Sequence, residues 1–67
     1  MKTITIPVQV PDWVTCYAQG PDGDWWIYEH KPTEREVDWE PINKSRFYPL
    51  GIEGEPNPNW RETLRKV

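Results

Sequence analysis

Few residues in this chain could do covalent chemistry, because it has one cysteine, Cys16, and one histidine, His30. A thiol beside an imidazole is the minimal activated nucleophile, and alternation along paired strands could place both side chains on one sheet face. Such a pair also needs a third group to orient the imidazole, and no spacing in the sequence suggests one. A lone cysteine on a strand is more often a buried apolar residue. We therefore predict that the protein is not an enzyme and has no catalytic residues.

Metal and cofactor sites are disfavoured by the same counts. A single cysteine cannot form an internal disulfide, and one cysteine with one histidine cannot make the usual zinc site. Asp22 and Asp24 flank a glycine as in a fragment of a calcium loop, but the remaining ligand positions are missing. At 67 residues the chain is expected to be one domain, 1–67, with no room for a dinucleotide-binding fold. We predict no metal and no cofactor.

Acidic and aromatic side chains are concentrated between residues 22 and 40. This segment holds seven carboxylates and two basic side chains, a net charge of −5 in a chain whose total is −3. Three of the five tryptophans lie in it. Aromatic residues surrounded by polar ones are typical of protein-binding surfaces. The residues that we expect to contact a partner protein are Trp25, Trp26, Trp39, Asp22, Asp24, Glu36 and Asp38.

Other interpretations of this segment stay open. The carboxylates are also typical of a solvated loop that maintains solubility, with Trp39 covering the core from that loop. Aromatic residues on a sheet face can stack unpaired nucleic-acid bases, which makes single-stranded nucleic acid an alternative ligand. Against it, the acidic segment would repel a phosphate backbone, and the basic residues cluster elsewhere, at Arg61, Arg65 and Lys66. Nucleic-acid binding is therefore the less favoured interpretation.

The N-terminal residues alternate between apolar and polar side chains. Over residues 3–10 one face would carry Ile4, Ile6, Val8 and Val10. This period of two predicts a half-buried strand. Pro7 cannot donate a ladder hydrogen bond, which favours a sheet edge with Pro7 turned outward. Strand 3–10 could then pair with its copy, so a self-associating structural component is a further alternative.

A β-hairpin is predicted around Gly20-Pro21-Asp22-Gly23, where proline presets φ and glycine accepts a positive φ. Two registers fit the flanking runs, 13–19 and 24–30. If Gly20 pairs with Asp24, one face carries Ala18 opposite Trp26, Cys16 opposite Tyr28 and Val14 opposite His30. The other face then carries Trp13, Tyr17, Trp25 and Ile27. A slip of one residue groups Trp13, Tyr17, Trp26 and Tyr28 instead. Both faces carry aromatic side chains in either register.

The middle of the chain predicts a loop and then an edge strand. Residues 32–45 show no sustained period, and we expect them to fold back over the sheet, anchored by Val37, Trp39 and Ile42. A short extended run over 46–52 would form an edge strand at best, because it contains a proline and a glycine.

The C-terminus predicts a short helix. Asn59 is a candidate N-cap with Glu62 as its capping-box partner. Apolar residues recur at helical spacing, and two basic residues would suit the negative helix end. The apolar stripe is Trp60, Leu64 and Val67, and the basic pair is Arg65 and Lys66. The predicted fold is therefore α+β, a three- or four-stranded antiparallel meander with one short C-terminal helix packed across it.

The order of motifs resembles that of short uncharacterised accessory proteins encoded by tailed bacteriophages and prophages. The shared features are VPDWV (10–14), DGDWWIYEHKP (22–32), a tryptophan in a polar loop, and NPNWRETLRKV (57–67). Thr63 departs from the serine expected there. The resemblance implies an accessory protein that acts in the cytoplasm of an infected bacterium, and it carries over no site residues. With the acidic tryptophan-bearing segment, it leads us to expect binding to, and inhibition or modulation of, a host or defence protein.

Targeting features agree with that compartment. The N-terminus lacks the continuous apolar region of a signal peptide, and no segment approaches the roughly 18 apolar residues of a membrane span. We expect a cytoplasmic protein without membrane contact.

Overall fold

The fold is built from short antiparallel strands. The computed structural model describes residues 1–4, 6, 8–52 and 54–67. The strands are β1 (Lys2–Thr3), β2 (Gln9–Val10), β3 (Cys16–Gln19), β4 (Trp25–Tyr28), β5 (Thr33–Glu34), β6 (Trp39–Glu40), β7 (Phe47–Pro49) and β8 (Arg65–Lys66). A central four-stranded sheet has the order β7-β4-β3-β8, and β1-β2 and β5-β6 form two separate two-stranded sheets. The β-rich part of the fold prediction is therefore confirmed.

The central hairpin has the first of the two registers considered above. Cys16 pairs with Tyr28 and Ala18 with Trp26, and the Gly20 N–H donates to the Asp24 carbonyl over 2.8 Å. Gly23 has a φ of 97°, the left-handed conformation for which glycine is suited. The turn chemistry thus selects the register, and with it the sheet face of every side chain in β3 and β4.

Two apolar clusters lie on the opposite faces of this hairpin. The first core contains Ile4, Val10, Val14, Tyr17 and Ile27. The second core contains Cys16, Ala18, Tyr28, Trp39 and Trp60. Because neighbouring side chains in β3 and β4 point to opposite faces, the same four-residue strands supply both cores.

Val14 belongs to the first core although simple alternation would place it with Cys16. The Thr15 N–H donates to the carbonyl of Tyr28, which is also the partner of Cys16. Two consecutive residues of one strand thus face a single residue of the other, as in a β-bulge. The extra residue reverses the alternation and turns Val14 to the Tyr17 face.

The expectation of one continuous strand over residues 3–10 is wrong. The segment folds on itself, so that Lys2 pairs with Val10 and Thr3 with Gln9. This hairpin brings Ile4 and Val10 to the first core, and the Lys2 ammonium donates to the Val14 carbonyl over 2.9 Å. The folded-back form is stabilised because both arms of the hairpin bury apolar side chains in the first core. The orientation predicted for Pro7 lies outside the described residues.

The predicted C-terminal helix is also wrong. A three-residue 3₁₀ turn, Trp60–Glu62, stands in its place, and Asn59 makes no side-chain capping bond. Arg65 pairs with Tyr17 as part of β8, so this residue adds a strand instead of closing a helix. A nine-residue helix has little stability of its own, and hydrogen bonds to the free edge of β3 outweigh it.

The segment between β4 and β7 covers the second face, but with one anchor instead of three. Trp39 is 8% exposed and packs in the second core, whereas Val37 and Ile42 are 68% and 42% exposed. The edge strand predicted within 46–52 is confirmed, because β7 lies at the end of the sheet and pairs Tyr48 with Ile27. No helix among the described residues is long and apolar enough to cross a membrane.

Candidate functional site: an aromatic pocket with an acidic rim

An aromatic pocket opens on the second face of the central sheet. It has a volume of about 100 Å³ and is lined by Gly20, Trp26, Tyr28, Trp39, Pro41 and Phe47. Strand β4 supplies Trp26 and Tyr28, which share a face because they are two residues apart. Phe47 pairs with Tyr28 from the edge strand, and Trp39 comes from β6. The hairpin register and the loop that covers the sheet together form this pocket.

The rings of the pocket contact one another. Trp26 and Phe47 have centroids 6.1 Å apart with an interplanar angle of 38°. Tyr28 and Phe47 are nearly parallel, 6.4 Å apart at 17°. Phe47 is 42% exposed, while Tyr28 is buried. The pocket therefore has a buried floor at Tyr28 and a solvent-facing aromatic wall at Phe47.

Trp39 supports the pocket and is not an exposed contact residue. Its indole N–H donates to the Gln19 carbonyl over 3.0 Å, and its ring meets Trp60 edge-on at 5.6 Å. Trp39, which we predicted as a partner contact, is 8% exposed, and its ring lies in the second core, where it covers the sheet from the loop. Replacing Trp39 by alanine would disrupt the second core, so this substitution cannot test binding alone.

Gln19 is a buried side chain that the sequence did not single out. Its side-chain amide donates to the Gly23 carbonyl over 2.8 Å, and its amide oxygen accepts from the Asn57 side chain over 3.0 Å. Its backbone N–H donates to the Thr63 hydroxyl over 2.8 Å. A glutamine in a strand has no pattern that marks it as a network centre. Only the hydrogen bonds in the folded structure show that Gln19 connects the turn, the C-terminal segment and Trp39.

One carboxylate, that of Asp22, lies at the edge of the pocket, and a second belongs to Asp38, the residue before the lining residue Trp39. Asp22 Oδ1 accepts the Asp24 N–H over 3.2 Å and lies 3.1 Å from the position that a Cβ would take on Gly20, a pocket residue. Burial and, to a smaller degree, the negative charge of Asp38 raise the pKa of Tyr28 to about 12. The phenol therefore stays protonated and neutral at ordinary pH. The position of Asp22 places a negative charge beside the pocket.

Arg35 forms ion pairs with Asp38, the second of these carboxylates, and with Glu40. Its guanidinium lies 3.7 Å from the Asp38 carboxylate and 3.4 Å from that of Glu40. All three side chains are about half exposed, so these ion pairs are weak and open to exchange.

The structure divides the predicted contact residues between two faces. Trp26 lines the pocket, whereas Trp25 packs against Tyr17 on the opposite face with centroids 6.0 Å apart. Asp24 lies beside Trp25 in a separate depression. Glu36 is exposed, and its carbonyl accepts a hydrogen bond from Arg61. The sequence prediction missed four of the six pocket residues, which are Gly20, Tyr28, Pro41 and Phe47. For Phe47, its place in an aromatic pair before a proline was a usable signal.

The residues considered for covalent or metal chemistry do not gather in a site. Cys16 is buried in the second core opposite Tyr28, while His30 is exposed beyond the end of β4. Across the described part of the chain, no three His, Cys, Asp or Glu side chains group closely enough to hold a metal ion.

Comparison with known proteins adds no relative. No protein-family model, no curated protein and no solved structure matches the chain. The function must therefore be argued from the pocket and its charges.

Proposed function

We propose that this protein is a small non-enzymatic binding protein that engages a basic surface of a host or defence protein through the aromatic pocket and its acidic rim. The observation that carries the proposal is the joint presence of exposed Phe47, half-buried Trp26 and the carboxylate of Asp22 beside Gly20, with Asp38 next in the chain to the pocket residue Trp39. A desolvated aromatic centre inside a polar rim is the usual anatomy of a protein interface.

The size of the pocket supports a protein partner over a free substrate. Sites for small molecules usually enclose about 300–1,000 Å³, whereas this pocket has about 100 Å³. That volume suits the end of one side chain. Single-stranded nucleic acid is a poorer fit, because the carboxylate of Asp22 beside Gly20 would repel phosphates near the rings that would stack the bases.

The mechanism that we propose is occlusion. A small rigid body covers a site on its partner, and complementary charge speeds the encounter. The resemblance to bacteriophage and prophage accessory proteins supports the cytoplasm of an infected bacterium as the place of action. Inhibition or modulation of the partner would follow from the covered site.

The test compares three forms of the tagged protein in affinity capture from bacterial lysate treated with nuclease. The first is the unchanged protein. The second carries Asp22→Asn and Asp38→Asn, which keep side-chain shape and remove the rim charges. The third carries Asp12→Asn and Glu62→Gln, which remove the same number of charges from exposed positions that do not line the pocket. Capture is measured at low and at moderate salt.

We expect one stoichiometric protein partner that is retained by the unchanged protein and the control variant, and lost by the rim variant. Retention should weaken with salt, since exposed charges are screened. Equal capture by all three forms, capture that disappears with nuclease, or an eluate without a partner protein would each contradict the proposal.

A further inference from the structure

We infer that the aromatic pocket binds the guanidinium group of an arginine side chain presented by the partner. This inference rests on the proposed function and specifies the chemistry that the pocket would recognise. It follows from three independent features of the described residues: the pocket's aromatic lining, its charge, and the behaviour of arginine elsewhere in the same fold.

The lining is aromatic on most sides. Four of the six lining residues are Trp26, Tyr28, Trp39 and Phe47. Aromatic faces attract cations through the ring quadrupole, and arginine is the cation that most often lies on them. The guanidinium is planar and more weakly hydrated than an ammonium group, so it loses less on entering a partly dry pocket.

The charge around the pocket selects a cation over an apolar side chain. The carboxylate of Asp22 lies against the Gly20 wall, so a guanidinium seated among the rings would have a charged hydrogen-bond acceptor beside it. A leucine or proline in the same place would leave that carboxylate without a partner on the ligand.

The fold already places its own arginines on tryptophan rings. The Arg46 guanidinium carbon lies 4.6 Å from the Trp13 ring centroid, and that of Arg61 lies 4.6 Å from the Trp60 ring centroid. Among the described residues, no lysine or arginine of this chain lines the pocket. The pocket therefore offers the same kind of contact to a cation supplied from outside.

The experiment titrates the full-length protein with three capped tripeptides, Gly-Arg-Gly, Gly-Leu-Gly and Gly-Pro-Gly, and follows the indole N–H signals of Trp26 and Trp39 by two-dimensional NMR. The informative variant is Phe47→Leu, which removes an aromatic wall and keeps an apolar side chain. Its matched control is Tyr48→Leu. Tyr48 is the next residue of the same edge strand, is also exposed, and contacts Trp13 on the other face.

We expect the arginine peptide to shift both indole signals saturably in the millimolar range, and the other two peptides to leave them unchanged. Phe47→Leu should weaken arginine binding about fivefold, and Tyr48→Leu should not change it. Binding of the leucine or proline peptide as strongly as the arginine peptide, no saturable shift with arginine, or equal effects of the two variants would overturn the inference.

The two proposals fail in different ways. If partner capture depends on Asp22 and Asp38 but the arginine peptide does not bind, the pocket inference is wrong and the acidic binding surface stands. If the arginine peptide binds and capture is unaffected by the rim substitutions, the proposed function is wrong.

Discussion

Two glycines bring distant backbone segments into direct contact beside the central turn. A Cβ on Gly23 would overlap the carbonyl oxygen of Gly54 and lie 2.6 Å from that of Glu55. Gly23 also has a φ of 97°, so a side chain there meets both a steric and a conformational barrier. Gln19 bonds to the Gly23 carbonyl at the same point. Glycine is thus required at position 23 for two reasons. The hairpin turn needs its positive φ, and the backbone of residues 54–55 leaves no room for a side chain.

Gly23→Ala should lower the free energy of unfolding by about 2–4 kcal/mol, because the methyl group displaces backbone that cannot move without breaking the Gln19 bonds. The control is Gly51→Ala. Gly51 has a φ of 77° but open space around it, so alanine should cost only the backbone strain, about 1–2 kcal/mol. Urea denaturation followed by tryptophan fluorescence measures both. A smaller loss for Gly23→Ala than for Gly51→Ala would show that the two segments are not in contact.

At the scale of elements, the C-terminal segment shows how neighbours decide between a helix and a strand. The 3₁₀ turn places Trp60 in the second core, and the chain then runs along β3, where the Val67 N–H donates to the Thr15 carbonyl over 2.9 Å. The Thr63 hydroxyl joins the two parts, since it donates to the Trp60 carbonyl over 2.6 Å and accepts the Gln19 N–H. Thr63 therefore links the C-terminal end of the 3₁₀ turn to strand β3.

Thr63→Val should destabilise the protein by about 1–3 kcal/mol, because it keeps the side-chain shape and leaves the Gln19 N–H without its acceptor. Glu62→Ala should change stability by less than about 0.5 kcal/mol, since Glu62 is exposed and no capping box forms. Chemical denaturation of both variants compares them. A larger loss of stability for Glu62→Ala than for Thr63→Val would contradict the uncapped 3₁₀ turn and would indicate a capped helix instead.

For the whole molecule, the central sheet is covered on both faces by segments that contribute few hydrogen bonds to it. The N-terminal hairpin supplies apolar residues to one core and the loop with β5 and β6 supplies Trp39 to the other. Two ionisable groups in this arrangement, the Tyr28 phenol and the Glu29 carboxyl, have shifted pKa values and make the free energy of unfolding depend on pH. The hydrogen bonds of Arg46 to Glu29 hold the pKa of that carboxyl below its usual range, and burial holds the pKa of Tyr28 at about 12.

Stability should therefore fall at alkaline pH through Tyr28. Its pKa is raised in the folded state, so its contribution is fully present below the unfolded pKa of 10.0 and is lost as the pH rises toward about 12. We expect this loss to reach about 1–2 kcal/mol after solvent screening. Urea denaturation of the unchanged protein and Tyr28→Phe across this range should show the stability difference between them shifting in favour of phenylalanine. A constant difference would contradict the burial of the phenol.

The acidic limb has the opposite sign. The pKa of Glu29 is lowered in the folded state by hydrogen bonds from Arg46, so its contribution is present above the unfolded pKa and is lost as the pH falls through the folded value. We expect Glu29→Gln to be less stable than the unchanged protein at neutral pH and to approach it in acid, measured by the same denaturation series. An unchanged gap in acid would show that the Arg46 hydrogen bonds do not depend on the carboxylate charge.

What the sequence determined by itself was local. The Pro-Asp-Gly turn predicted the hairpin, because turn geometry acts over a few residues. Of the two registers that the sequence left open, the structure has the one that pairs Cys16 with Tyr28, and this decides which side chains share a face. The edge strand at residue 49 followed from the same local rules, since proline cannot donate to a neighbouring strand. The concentration of carboxylates beside tryptophans was also visible in the sequence alone.

Only the tertiary structure decided which of the competing local patterns survived. The alternating segment 3–10 folded back on itself, and residues 65–66 joined β3 instead of a helix, because each gained burial or hydrogen bonds from residues far away in the chain. The same long-range contacts put Trp39 in the core and left Phe47 at the pocket wall. A binding surface depends on which aromatic side chains remain outside, and that is settled by packing between segments that no local pattern relates.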